Sequence, residues 1–207
     1  MELEQSQLVY LQSRKKSYDL KYGILNHIIK ENLKDGMNIL ELFGGVGLTS
    51  CLIQKKIIPK KQEVLEICEK CIEILKRKEK NFKNFIVKNQ NAFSFDDYSD
   101  YDYIFIDNAF TLSKFSIFDR LFNRISKMNK GNIILTETGI FNLRFNKKSP
   151  EKHFEEVNDR FIKKYGLFIK NVYYTSNFSI IHLIKNKTEM KIEKWTALDK
   201  SWRMYVP

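Results

Sequence analysis

The residues of this chain best placed to do chemistry sit where apolar runs end. The run Asn38-Ile39-Leu40-Glu41-Leu42 opens into Phe43-Gly44-Gly45-Val46-Gly47, followed by Leu48-Thr49-Ser50. Glycine lacks a Cβ, so such a turn lets the backbone approach a nucleotide-like ligand while the N–H groups of the next helix face it. A lone glycine turn is a weak signal. It is strengthened by the polar residues that end the following apolar runs: Glu66, then Asn91 beyond a polar stretch, then Asp107. A dinucleotide site would want a third glycine near residue 50, where Ser50 stands.

These residues need a sheet to bring them together. Apolar residues Ile24, Leu25, Ile28 and Ile29 recur at helical spacing between Lys21 and Leu33. Asp35-Gly36 breaks that helix and releases a strand over 37–42. A helix over 48–56, a strand over 63–67, a charged helix over 69–80 and a short strand over 84–87 follow. Strands over 102–106 and 131–135 flank a helix over 115–128, and Pro150 suits the first turn of a helix to Lys164. Two final strands, 166–174 and 178–184, read as a hairpin. Strands alternating with helices predict an α/β fold, a parallel sheet covered on both faces.

The domain organisation expected is an N-terminal extension and helix over 1–34, a ligand-binding domain over 35–184 and a tail over 185–207. A net charge of +11 favours polyanionic partners such as RNA, DNA or an acidic surface. Abundant Lys, Asn, Ile and Phe are also what AT-rich coding produces. No apolar run reaches the roughly 20 residues of a membrane span. The start of the chain lacks a signal peptide's pattern, so a reducing, cytoplasmic location is expected. Cys51, Cys68 and Cys71 form no disulfide framework. Cys68-x-x-Cys71 has no second pair to complete a zinc site, and reads as buried or idle thiols. His27, His153 and His182 show no metal-ligand spacing, and His182 in its apolar strand reads as a core residue.

Successive βα units, a closing hairpin and Glu41-Leu42-Phe43-Gly44-Gly45-Val46-Gly47 together resemble the class I S-adenosylmethionine-dependent methyltransferases over about residues 20–184. The resemblance implies a Rossmann-like three-layer sandwich whose seven-stranded, mostly parallel sheet ends in an antiparallel strand. Phe43 stands where many members have the first glycine, and the acid-Leu-Phe-x-Gly-x-Gly form is similar to several nucleic-acid methyltransferases. The cofactor implied is S-adenosyl-L-methionine. Its implied ligands are Glu41 toward the methionyl ammonium, the turn Phe43, Gly44, Gly45 and Gly47, Glu66 at the ribose, and Ile67 next to it in the chain. Asn91 and Ala92 would lie at the adenine, and Asp107 near the methyl group. Most members carry Asp where Asn91 stands.

Asp107-Asn108-Ala109-Phe110 resembles the substrate segment of amino-group methyltransferases without its two prolines. It implies Asp107 and Asn108 as acceptors of the target's hydrogens and Phe110 as the stacking ring. Methylation of pyrimidine C5 needs a cysteine beyond the fourth strand, and none follows Cys71. Ribose methylation of the Lys-Asp-Lys-Glu kind wants a lysine where Glu137 stands. The function expected is methyl transfer to an N or O atom, on RNA in preference to DNA. Arg14, Lys15, Lys16, Arg144, Lys147, Lys148, Trp195, Trp202 and Arg203 are candidate contacts, or else a solvated surface with aromatics pinning the tail. A small-molecule or protein acceptor, or a non-catalytic RNA-binding subunit, stays open.

Overall fold

The computed structural model describes residues 5–107, 115–127, 131–137, 149–175 and 178–195. Eight strands form one sheet: β1 (Asn38–Leu42), β2 (Lys61–Glu66), β3 (Phe85–Asn89), β4 (Tyr103–Ile106), β5 (Ile133–Glu137), β6 (Phe168–Tyr174), β7 (Ser179–Ile184) and β8 (Lys191–Lys194). Their order is β3-β2-β1-β4-β5-β7-β6-β8. The first five are parallel, β7 runs antiparallel to β5 and β6, and β8 is parallel to β6.

The helices are α1 (Gln5–Asn32), α2 (Leu48–Lys56), α3 (Glu69–Glu79), α4 (Phe115–Ile125) and α5 (Pro150–Tyr165). They cover both faces, as the β4 sequence requires. Tyr103 and Phe105 point to the layer of α1 and α2, packing with Ile24, Leu25, Ile28 and Ile53. Ile104 and Ile106 point the other way, to Leu121 and Phe122 of α4 and Phe154 and Phe161 of α5. A strand buried on both sides has no polar alternation, which is why it reads as a continuous apolar run. On β2, Val64 packs with Leu75 of α3, so α3 joins the α1–α2 layer. The ends of α5 follow local chemistry: Ser149 caps it, Pro150 starts it and Gly166, at φ 63°, closes it.

Two features differ from the sequence expectation. The first helix begins at Gln5 and runs 28 residues. No Gly or Pro interrupts residues 1–22, so the polar lead-in extends the same helix. The segment beyond β7 supplies an eighth strand, whose Lys191–Lys194 pairs with Asn171–Tyr174. Its sequence, Lys-Ile-Glu-Lys, is charged because the strand lies at the sheet edge. Among the described residues no helix is long and apolar enough to cross a membrane.

Candidate functional site

Strand order reverses between β1 and β4, and the crevice outside the carboxyl ends of strands at such a switch point is where open α/β sheets bind ligands. The turn from β1 into α2 occupies it. Phe43, Gly45 and Gly47 all have left-handed backbone, at φ 61°, 53° and 74°. Phe43 and Gly44 donate their N–H groups to the Leu65 carbonyl at 3.1 and 3.3 Å, fastening the turn to β2. A Cβ on Gly44 would stand 2.1 Å from Val64 Cγ1, and one on Gly47 would stand 2.6 Å from Leu75 Cδ2. Gly44 is therefore required by packing, and Gly45 and Gly47 are favoured by their backbone angles, with Leu75 adding to the constraint at Gly47. Phe43 adopts a conformation that favours glycine, and its ring packs on Phe93 at 5.8 Å between centroids.

Three acids surround this turn. Glu41 is buried, its carboxylate accepting hydrogen bonds from the Ser50 hydroxyl at 3.0 Å and the Gln62 amide at 2.5 Å. Burial raises its pKa to about 7, a rise that those two donors oppose and the nearby Asp107 charge supports. At neutral pH it is poised to ionise for a cation. Glu66, at the end of β2, accepts from the Gly45 N–H at 2.7 Å and from Ile67 and Cys68 N–H groups at 2.8 and 2.9 Å. A carboxylate has about four acceptor positions, so room remains for a further hydroxyl. Asp107 follows β4 and forms an ion pair with Lys21 of α1 at 2.5 Å, while the Thr49 hydroxyl donates to it at 2.9 Å.

Beyond β3, Asn91 caps the one-turn 3-10 helix Ala92–Ser94, its side-chain oxygen accepting from the Phe93 N–H at 2.9 Å. Ala92 is buried, and its carbonyl accepts from Tyr98 Oη at 3.1 Å. Arg120 of α4 lies over the Phe93 ring, and Ile67 is 60% exposed beside Glu66. The structure thus brings Glu41, Phe43, Gly44, Gly45, Gly47, Glu66, Ile67, Asn91, Ala92 and Asp107 to one end of the sheet. Asn108 and Phe110 lie outside the described residues, as do Arg144, Lys147, Lys148, Trp202 and Arg203.

The Trp195 ring lies against α1, 5.6 Å from the His27 ring, and the Trp195 backbone N–H donates to the Tyr174 carbonyl at 2.9 Å. It pins the chain after β8 to the core. His182 is fully buried, and burial lowers its pKa to about 3, so it is a neutral core residue. Of the Cys68-x-x-Cys71 thiols, read as buried or idle, Cys68 is exposed where it opens α3 at the surface and Cys71 is half-buried.

Lys21, Thr49, Ser50 and Gln62 contact the acids and were not anticipated. Lys21 had a signal: at three, four and seven residues before Ile24, Leu25 and Ile28 it occupies the apolar stripe of its helix. A lysine there must find a counter-charge. Gln62 alternates with Glu63 in an apolar strand and carried no comparable mark.

No family model matches the sequence, and no curated protein matches it either. The fold does have solved counterparts. The chain is similar to the N-methyltransferase NodS from Bradyrhizobium japonicum WM9 (TM-score 0.61, 9% identity, 83% of this chain and 98% of that one). It is also similar to the methyltransferase domain of bacterial CtHen1-C (TM-score 0.60, 13% identity, 81% and 97%). A third is magnesium protoporphyrin IX methyltransferase from Synechocystis PCC 6803, solved with bound S-adenosylmethionine (TM-score 0.57, 11% identity, 90% and 86%). With β7 inserted antiparallel between β5 and β6 and a glycine turn at the switch point, the chain has the fold of the class I S-adenosylmethionine-dependent methyltransferases.

Proposed function

We propose that this protein is an S-adenosylmethionine-dependent methyltransferase acting on an N or O atom of a nucleic acid, RNA in preference to DNA. The observation that carries the cofactor reading is the convergence of the buried Glu41 and the half-buried Glu66 and Asp107 on a turn where side chains at positions 44 and 47 would collide with β2 and α3. The residues fit the cofactor. Glu41 would face the methionyl ammonium, the turn from Phe43 to Gly47 would line the chain, and Glu66 would take a ribose hydroxyl. Asn91, Ala92, Ile67 and the Phe43–Phe93 pair would border the adenine.

The cofactor supplies a methyl group already activated by its sulfonium charge. What the chain must supply is position and a dry, polar surface for the acceptor atom. Asp107 is oriented for that by Lys21 and Thr49, one oxygen to each. It can accept a hydrogen from the target amine or hydroxyl and leave the lone pair aimed at the methyl group. Asn108 and Phe110, next along the chain, would share that task.

The nucleic-acid part rests on the charge of +11 and on α1. Arg14, Lys15 and Lys16 belong to the same continuous helix as Lys21, so the basic run begins about 8 Å along the axis from the residue that grips Asp107. Calorimetric titration with S-adenosylmethionine is expected to show binding that Glu66→Ala weakens, and labelled-methyl assays are expected to show transfer to RNA with a salt-dependent affinity. No heat and no thermal shift at millimolar cofactor would sink the cofactor reading. Indifference to tRNA and duplex DNA would move the acceptor to a small molecule or protein, and binding without any product would indicate a non-catalytic subunit.

A further inference from the structure

The segment Cys68-Glu69-Lys70-Cys71 opens α3 immediately after Glu66. Cys68 is the capping residue, in extended backbone at φ −75° and ψ 112°, and Cys71 is the third residue of the helix. These positions are one turn apart on one face, with about 5–6 Å between Cβ atoms in a helix. A disulfide needs Cβ atoms about 3.5–4.5 Å apart, closer than helical neighbours stand, so closing the pair draws Cys68, whose backbone is outside the helix, in toward Cys71 at the helix entrance. Both thiols are free, Cys68 exposed and Cys71 half-buried. The Cys71 N–H and thiol lower the Cys68 pKa, whereas burial raises that of Cys71 to about 11. One sulfur is therefore a nucleophile facing solvent and the other a sheltered thiol poised behind it. Among the described residues no cluster of three or more His, Cys, Asp or Glu side chains could hold a metal, so the pair lacks the further ligands zinc would take.

We propose that Cys68 and Cys71 are a thiol–disulfide exchange site, oxidised by low-molecular-weight disulfides, and that its oxidation opposes cofactor binding. The Cys68 thiolate attacks one sulfur of the small disulfide, whose S–S bond breaks. The departing thiolate takes a proton from water. Cys71 then loses its proton to solvent and attacks the Cys68 sulfur, releasing the second small thiol. The net change converts two protein thiols to one disulfide and one small disulfide to two thiols. The link to the cofactor rests on the proposed function. Cys68 and Ile67 donate their N–H groups to one Glu66 oxygen at 2.9 and 2.8 Å, so closing the ring acts on the acid assigned to the ribose.

The test is differential alkylation and peptide mapping of the full chain equilibrated in mixtures of oxidised and reduced glutathione. Cys68 and Cys71 are expected to lose reactivity together, with the peptide lighter by two hydrogens, while Cys51 stays alkylatable. Cys71→Ser is expected to accumulate glutathione on Cys68, and Cys68→Ser to accumulate far less on Cys71. The oxidised protein is expected to bind S-adenosylmethionine about tenfold more weakly, as loss of one charge-assisted hydrogen bond would give. Alkylation of both thiols at every ratio, or a stable mixed disulfide on Cys68 of the unaltered chain, overturns the exchange site. Equal cofactor affinity in the two redox forms overturns the link. Failure of the reduced protein to bind cofactor refutes the proposed function and the link with it, whereas the peptide map decides the exchange site by itself.

Discussion

The proposed place of Glu41 at the methionyl ammonium makes cofactor affinity depend on pH, with a sign that follows from its burial. Burial holds its carboxyl at about 7, against an ordinary value of 4.5. Without ligand, about nine-tenths of the protein therefore has Glu41 protonated at pH 6 and about one-tenth at pH 8. A methionyl ammonium beside it favours the carboxylate, so binding at pH 6 expels close to one proton. Relative to a protein with no such group, affinity falls about tenfold between pH 8 and pH 6. The cofactor's own amino group also titrates near this range, at about 8, so the quantity to read is a ratio between two proteins. Glu41→Gln supplies the second: its amide can keep contacts to Ser50 and Gln62 yet carries no titrating proton. Calorimetry at pH 6, 7 and 8, in buffers of different ionisation enthalpy, gives both the affinity and the protons released. A wild-type to Glu41→Gln affinity ratio that stays constant across the range refutes the assignment, as does proton release that survives in the variant.

Without cofactor the same carboxyl works in the opposite sense. Its folded pKa is raised, so its contribution to stability is fully present below pH 4.5 and is lost as pH rises through 7, by about 3 kcal/mol; urea unfolding should show a slope that Glu41→Gln flattens. Lys21→Met removes the cation from Asp107 at a site where the two side chains are 7% and 15% exposed, and should cost about 3 kcal/mol in denaturant unfolding. Lys21→Met combined with Asp107→Asn should recover most of that loss, and a single variant as stable as the parent would show that the pair is idle. Phe43 sits at φ 61°, so Phe43→Gly should be more stable than Phe43→Ala by about 1 kcal/mol although it is the smaller residue, a thermal-shift ordering that a right-handed backbone there would reverse.

Much of the sheet was legible because its strands are buried on both faces. The β4 run Tyr103–Ile106 and the helix Leu48–Lys56 fall where apolar pattern and glycine turn put them, and Pro150 and Gly166 mark both ends of α5. The strand-end acids were legible for the same reason: a charge can appear in such a strand only where the sheet opens to the crevice or where partners are supplied. What pattern could not give was partnership. The Glu41 contacts come from Ser50 in the next helix and Gln62 in the next strand, and their meeting depends on the parallel register that sets Ile39 beside Gln62. The β8 strand was hidden because an edge strand of four charged and apolar residues has no buried face to announce it.

The Lys21–Asp107 pair bears on what the first helix is for. An ion pair this deeply placed is a poor source of stability, since desolvating both charges offsets most of their attraction. Helix α1 does not need it for docking: Ile24, Leu25, Ile28 and Ile29 are at most 1% exposed and already fasten the helix to the sheet. The lysine instead fixes one oxygen of Asp107 while Thr49 fixes the other, which sets the rotamer of the carboxylate at the switch point. A helix that packs by its apolar stripe and also aims an acid in the crevice is part of the site's framework. Any partner that binds its basic N-terminal turns, Arg14 to Lys16, therefore has a rigid path of about two helical turns to Asp107, the acid proposed to lie beside the methyl group.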